Sequence, residues 1–255
     1  MSVRQQLRRA GRIAGFGALT GAMLPGFLAH ERLSPAADRD HVRERWVATW
    51  CGALLRLFGV RVLTRGPVPL SGRGHLVVAN HRSTADILVL LRAFGGHMVS
   101  RADLAGWPLV GVAARAVGTV FVDRSDAVSG ANAVRAIRDR LTAGATVIVF
   151  PEGTTFAGDE VRPFHPGAFL GALRSTADIV PVGIAYGSGS GAAFVNETFP
   201  DHLARVATAN PSQAVLCIGE PIDVAPKARA GALRDRAHAE VQRLVNEARR
   251  RVDGT

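Results

Sequence analysis

The sequence predicts an α/β fold: a mostly parallel sheet flanked by helices, preceded by an N-terminal membrane-associating helical segment. Three observations predict it. Short apolar runs of strand length alternate with stretches of helical periodicity between residues 75 and 186, and repeated strand–helix units favour a parallel sheet covered by helices. Residues 13–29 carry no charge and follow a run of arginines. The chain has 255 residues and 47% hydrophobic content, enough for one sizeable domain with a terminal appendage and too apolar for global disorder. Residues 1–62 are read as the N-terminal segment and 63–255 as the main domain.

Taken in order, Arg4, Arg8, Arg9 and Arg12 come without an acidic neighbour, then Ile13 to Ala29 runs uncharged. That length is at the lower edge of a transmembrane span. Gly15, Gly17, Gly21, Pro25 and Gly26 weaken it further as a helix. An interfacial or re-entrant anchor is the first reading, a single span the second and a signal peptide the third. A span would keep the N-terminus cytoplasmic. After a charged connector, Trp46, Trp50, Leu54 and Phe58 recur every four residues. This stripe on an amphipathic helix fits core packing and a bilayer interface equally.

Beyond Pro67 and Pro69, strands are predicted at 75–79, 97–100, 118–123, 145–150 and 179–186, and helices near 84–94, 104–116, 130–142 and 167–176. Gln213–Ile218 adds a strand. From Arg229 onward, Leu233, Ala237, Val241, Leu244, Ala248 and Val252 mark a long helix whose Arg249-Arg250-Arg251 end is read as solvated. The run Gly187–Gly191 has glycine where a nucleophile elbow needs serine, so it is read as a flexible loop.

The net charge of +10 is almost wholly arginine and suits an anionic partner such as lipid, an acidic carrier or nucleic acid. No nucleic-acid motif accompanies it. Cys51 and Cys217 are isolated, with no zinc spacing and no disulfide framework, which fits a reducing compartment.

Asn80-His81-Arg82-Ser83-Thr84-Ala85-Asp86 carries the chemistry. It joins a buried strand to a helix, the place where α/β proteins hold reactive loops. His81 can take a proton through one ring nitrogen while Asp86 holds the other. Asp86 as a helix cap is the plain alternative. Three more blocks follow. Gly118–Arg124 is a strand ending in an arginine that suits phosphate, or an ion pair with Asp126. Phe150-Pro151-Glu152-Gly153-Thr154 is a strand running into a turn whose N–H groups suit anionic oxygens. Val180-Pro181-Val182 starts a further strand.

These four blocks, in this order over about residues 75–187, resemble the glycerolipid acyltransferase family, whose bacterial members acylate lysophosphatidic acid. Arg101–Leu104 and Trp107–Gly111 resemble it too. The resemblance implies direct transfer of an acyl group from acyl carrier protein or coenzyme A thioester to a lysolipid hydroxyl, with no bound cofactor, no metal and no acyl-enzyme on Ser83. It implies that His81 is the general base and Asp86 its orienter. It implies that Arg124, Glu152, Gly153 and Thr154 bind the acceptor headgroup. Lysophosphatidic acid, giving phosphatidic acid, is the main expected acceptor. Family members acting on it often have a basic residue after the Phe-Pro-Glu-Gly-Thr block, where this chain has Thr155 and Phe156. That departure resembles the sub-branch acylating lyso-ornithine lipids, unless Arg162 compensates. The expected location is the cytoplasmic face of the inner or plasma membrane, peripheral or held by one N-terminal anchor. A non-catalytic lipid-binding protein and a thioesterase are the rival readings.

Overall fold

A computed structural model of the chain describes residues 2–69, 73–107, 110–175, 177–225 and 227–254. Pro108 and Leu109 of the second family-like stretch, and Thr176 at the expected end of a helix, lie outside the described residues. Two helices come first, α1 (Val3–Leu33) and α2 (Arg39–Phe58), then β1 (Val60–Arg65). The alternating region follows as β2 (His75–Ala79), α3 (Ala85–Phe94), β3 (His97–Arg101), α4 (Val110–Ala116) and β4 (Val120–Val122). It continues with α5 (Ala127–Thr142), β5 (Thr146–Val149), α6 (Gly167–Ala172) and β6 (Asp178–Tyr186). The chain closes with α7 (Phe199–Thr208), β7 (Ser212–Ile218) and α8 (Ala230–Asp253).

The described residues form a seven-stranded sheet in the order β1-β7-β6-β2-β5-β3-β4. Every pairing is parallel except β6 with β7. All nine residues of β6 and all five of β2 are buried, as expected for central strands covered on both faces. The period of two sorts them. Val77 and Ala79 face one core with α2 and α3, while Leu76 and Val78 face the other with α5, α6 and α8. The chain leaves β2 toward β3 on one side and later crosses to β6 on the other, so the carboxyl end of β2 lies at a switch point, where α/β sheets open a crevice.

Two elements are absent from the sequence prediction, β1 and α7. The predicted helix at 104–116 is instead a 3-10 turn (Ala102–Gly106) followed by α4. The N-terminal expectation also changes. Residues 13–29 lie within one continuous helix that passes through Pro25, because packing on α2 outweighs weak propensity. Gly26 admits the Trp46 ring, which a Cβ there would meet at 2.9 Å. Trp46 and Trp50 donate their indole N–H groups to His30 (3.0 Å) and Thr20 (3.1 Å) on α1, so this stripe seals the helix pair.

Arg12 is buried and joins three helices. Its Nε donates to the Leu57 carbonyl (3.0 Å) and its Nη1 to that of Ala209 (2.7 Å), capping the carboxyl ends of α2 and α7. Arg8 reaches Ala209 and Asn210 beside it. Arg249 is also not simply solvated: it grips Asp159 at 2.7 and 2.9 Å and the Tyr186 carbonyl at 2.7 Å.

Candidate active site

The site forms where β2 ends. Asn80 is fully buried, and its side-chain amide replaces the backbone ladder as the chain turns away. It accepts from Ile184 N–H at 2.8 Å and donates to the Ile184 carbonyl at 2.9 Å. The next residue, His81, is thereby aimed from a rigid strand end.

His81 Nδ1 lies 2.9 Å from Asp86 Oδ2. That oxygen also accepts from the N–H groups of Arg82 (2.7 Å) and Ser83 (2.8 Å). Asp86 Oδ1 accepts from the Tyr186 hydroxyl at 2.5 Å. Burial, and then the Asp86 charge, push the Tyr186 phenol well above its ordinary value, so it stays a donor. Four donors around one carboxylate leave it acting purely as acceptor. This fixes the imidazole proton on Nδ1 and leaves Nε2 as a free acceptor. The ring stacks on Phe150, with centroids 3.8 Å apart and 6° between planes.

His81 lines a mostly apolar cavity of about 810 Å³. Phe16, Met23 and Phe27 of α1 and Trp50 and Leu54 of α2 form part of its wall; Arg101, Arg124 and Thr154 bring polar groups to it. Arg124 lies over the turn at Gly153. A Cβ on Gly153 would sit 1.9 Å from its guanidinium, and Gly153 has φ +87°, so the position calls for glycine twice over. Arg124 makes no hydrogen bond or ion pair among the described residues. Asp126, its possible partner, instead caps α5 through Val128 and Ser129. Desolvation of the guanidinium, then the like charge of Arg101, lowers the Arg124 pKa, although the residue as a whole is exposed. Arg101 is occupied by Asp103 at 3.0 Å.

The Acyltransferase family profile matches residues 60–185. A lyso-ornithine lipid O-acyltransferase from Pseudomonas aeruginosa is 35% identical over 188 residues, covering 71% of this chain and 68% of that protein. The chain belongs to the acyltransferase family. A 1-acyl-sn-glycerol-3-phosphate acyltransferase from Neisseria gonorrhoeae is 28% identical, with 53% of each chain covered. The crystal structure of the 1-acyl-sn-glycerophosphate acyltransferase PlsC from Thermotoga maritima superposes with a TM-score of 0.79 at 23% identity, covering 96% of each chain. That likeness establishes the shared fold.

In this acyltransferase Glu152 points inward. Its Oε1 accepts from the His81 N–H at 2.7 Å, its Oε2 from the Arg162 N–H at 2.8 Å, and both oxygens from Arg82 at 2.9 and 3.1 Å. The Arg82–Glu152 pair is buried, 6% and 0% exposed in its side chains, and Arg82 also binds the carbonyls of His81, Gly158 and Glu160. A pair so well satisfied rigidifies the loop more than it adds stability. Thr154 is exposed and its hydroxyl has no partner among the described residues, whereas Ser83 is buried and its hydroxyl accepts from Ala85 N–H at 3.1 Å. Sequence reasoning missed Arg82, Phe150 and Tyr186 as parts of the site. Tyr186 did leave a signal: it is the single tyrosine of the chain and ends an apolar run.

Proposed function

We propose that the chain moves a fatty acyl group from a thioester to the hydroxyl of a membrane lysolipid, with His81 as general base. The observation that carries this is the His81 Nδ1–Asp86 contact of 2.9 Å, which leaves Nε2 free in a ring that lines an apolar cavity. Nε2 takes the acceptor's hydroxyl proton. The oxygen forms a bond to the thioester carbonyl carbon, the C–S bond breaks, and the sulfur leaves with the proton that His81 held. Asp86 orients the ring and stabilises the imidazolium. The donor is an acyl carrier protein or coenzyme A thioester. Ser83 has no part, since its hydroxyl is buried and engaged. Arg124, Gly153 and Thr154 receive the acceptor headgroup. Glu152 serves them indirectly, by holding His81 and the turn in place.

Lyso-ornithine lipid is the favoured acceptor. Its headgroup carboxylate carries one charge and matches Arg124, a cavity-lining guanidinium with no ion pair among the described residues. Arg162 is held near Glu160 at 3.6 Å and over the Phe156 ring at 5.4 Å, and Arg101 is occupied by Asp103. The relatives from Pseudomonas aeruginosa and Brucella abortus, 35% and 36% identical, bear that name. The chain spans about half of the latter, 51%. Lysophosphatidic acid is the second reading, favoured by Arg124 at a strand end and by the Neisseria relative. Residues 1–62 serve as the membrane-associating segment, on the cytoplasmic face. The exposed side of α1 presents Ile13, Ala14, Ala18, Ala22 and Leu28 without a charge, and α1 lines the cavity, so a lysolipid can reach His81 without leaving the bilayer. Each CH₂ kept out of water is worth about 0.8 kcal/mol.

The test supplies purified protein in anionic vesicles with both thioester donors and, in turn, each acceptor. We expect O-acylated ornithine lipid to form at a higher kcat/KM than phosphatidic acid. The reverse ratio would give the site to lysophosphatidic acid, and free fatty acid without either lipid product would make the protein a thioesterase.

A further inference from the structure

A second histidine–carboxylate pair lies outside the blocks that carry His81. His202, on α7, is fully buried. Its Nδ1 is 2.9 Å from Glu197 Oε1, and its Nε2 is 2.9 Å from the Thr84 hydroxyl. Arg205 grips both oxygens of Glu197, with Nε 3.1 Å from Oε2 and Nη2 at 2.5 Å from Oε1, and also binds the carbonyls of Gly191 and Ala193. The Arg205 bond first, and the His202 bond after it, hold the Glu197 carboxyl down to about 2. Burial lowers the His202 pKa. Nδ1 faces both Glu197 Oε1 and, at 3.0 Å, Arg205 Nη2, while Nε2 and the Thr84 hydroxyl share a hydrogen bond.

Thr84 lies between His81 and Asp86 and directly precedes α3. The segment bearing Glu197 forms one wall of the cavity, through Ala192, Phe194 and Glu197. It is stitched once more to the same loop and once to the turn after β5. Phe194 N–H donates to the Arg82 carbonyl at 2.8 Å, and its carbonyl accepts from the Thr155 hydroxyl. The Phe194 ring packs on His202, with centroids 4.4 Å apart. Thr155, the position where related chains often carry a basic residue, is here an anchor for this wall.

We propose that His202 is a positioning residue for acyl transfer: bonded to Glu197 and Thr84, it keeps the 187–199 wall in fixed register with residues 81–86. A thioester lying along that wall then presents its carbonyl to the hydroxyl activated by His81. Any buried histidine needs partners for its ring nitrogens; what marks His202 is that one of them, Thr84, lies inside the loop bearing His81 and Asp86.

The inference rests on the reading of His81 as base, and the experiment separates the two. In the vesicle assay, the variants are His202→Asn, whose amide keeps a group near Nδ1, His202→Gln, whose amide reaches toward Nε2, Thr84→Val, and His202→Asn with Thr84→Val together. We expect His202→Asn and Thr84→Val each to lower kcat about tenfold or more, as small misplacements of reacting groups do. The double variant should be no slower than the slower single one, since both break one link, and His202→Gln should recover part of the rate. Wild-type kcat in either single variant, or losses that multiply in the double and follow the fall in Tm, would overturn the proposal. If His202→Asn does not fold, Thr84→Val carries the test, with Thr84→Ser, which keeps the hydroxyl, expected to hold the wild-type kcat. His81→Ala is run beside them: its inactivity with unaffected His202 variants removes only this proposal, while its full activity removes the reading beneath.

Discussion

Two histidines in this chain hold Nδ1 at 2.9 Å from a carboxylate five residues away in sequence, His81 from Asp86 and His202 from Glu197. They differ in what the other nitrogen meets. His81 is 16% exposed in its side chain and its Nε2 has no partner among the described residues; His202 is 0% exposed and its Nε2 is held by Thr84. A carboxylate holds Nδ1 in both cases. What sets the role is whether the remaining nitrogen faces substrate space or another protein group. The surroundings sharpen the contrast: the cavity that His81 lines also holds Arg124, without a counterion among the described residues, while the arginine beside His202 is tied to Glu197.

The largest expected effect on acceptor binding comes from that cation. Removing it with Arg124→Ala should raise KM for the acceptor about ten- to a hundredfold, the loss expected for one charged hydrogen bond, and should leave Tm unchanged. Steady-state kinetics with the preferred lysolipid check this. An unaltered KM would return Arg124 to a structural role and make the two histidine sites more alike than proposed.

The same comparison shows what could be read from the sequence. His81, Asp86, Arg124 and the Glu152-Gly153-Thr154 turn fall in short contiguous blocks, where strand-to-loop position and residue chemistry are visible together. The strands His75–Ala79 and Thr146–Val149 were legible for the same reason, being apolar throughout. His202 was not, because its partner Thr84 is 118 residues away and nothing local marks that contact. β1 escaped because Val60–Arg65 is half exposed and charged, and owes its existence to the pairing of Val60 with Ser212. α7 did leave a cue, Thr198 capping it through Asp201 with proline at its start, but a glycine-rich loop precedes it. The inward turn of Glu152 depends on Arg82, whose burial no local pattern announces.

A third histidine gives the smallest effect on activity. His97 has no carboxylate partner: its Nδ1 lies 3.0 Å from the Gly118 carbonyl and its Nε2 3.3 Å from the Arg43 guanidinium. Burial first, then Arg43 and Arg140, push its pKa down from 6.5 to about 4. The unfolded chain therefore binds the proton more readily between those values. The associated stability is complete above about pH 6.5 and is lost as pH falls toward 4, by about 3 kcal/mol. His97→Gln should flatten this part of the pH dependence in urea unfolding at pH 7 and pH 5, with activity at pH 7 little changed. An unchanged slope would mean that His97 is already charged in the folded protein.

The direct test of the account is the kcat of His81→Ala with the preferred acceptor, measured on protein whose Tm matches wild type. A positioned base is worth about 10²–10⁴-fold, and we predict a loss in that range while His202→Asn, one bond further out, loses about tenfold. A His81→Ala enzyme that turns over at the wild-type rate would contradict the assignment of His81 as the base.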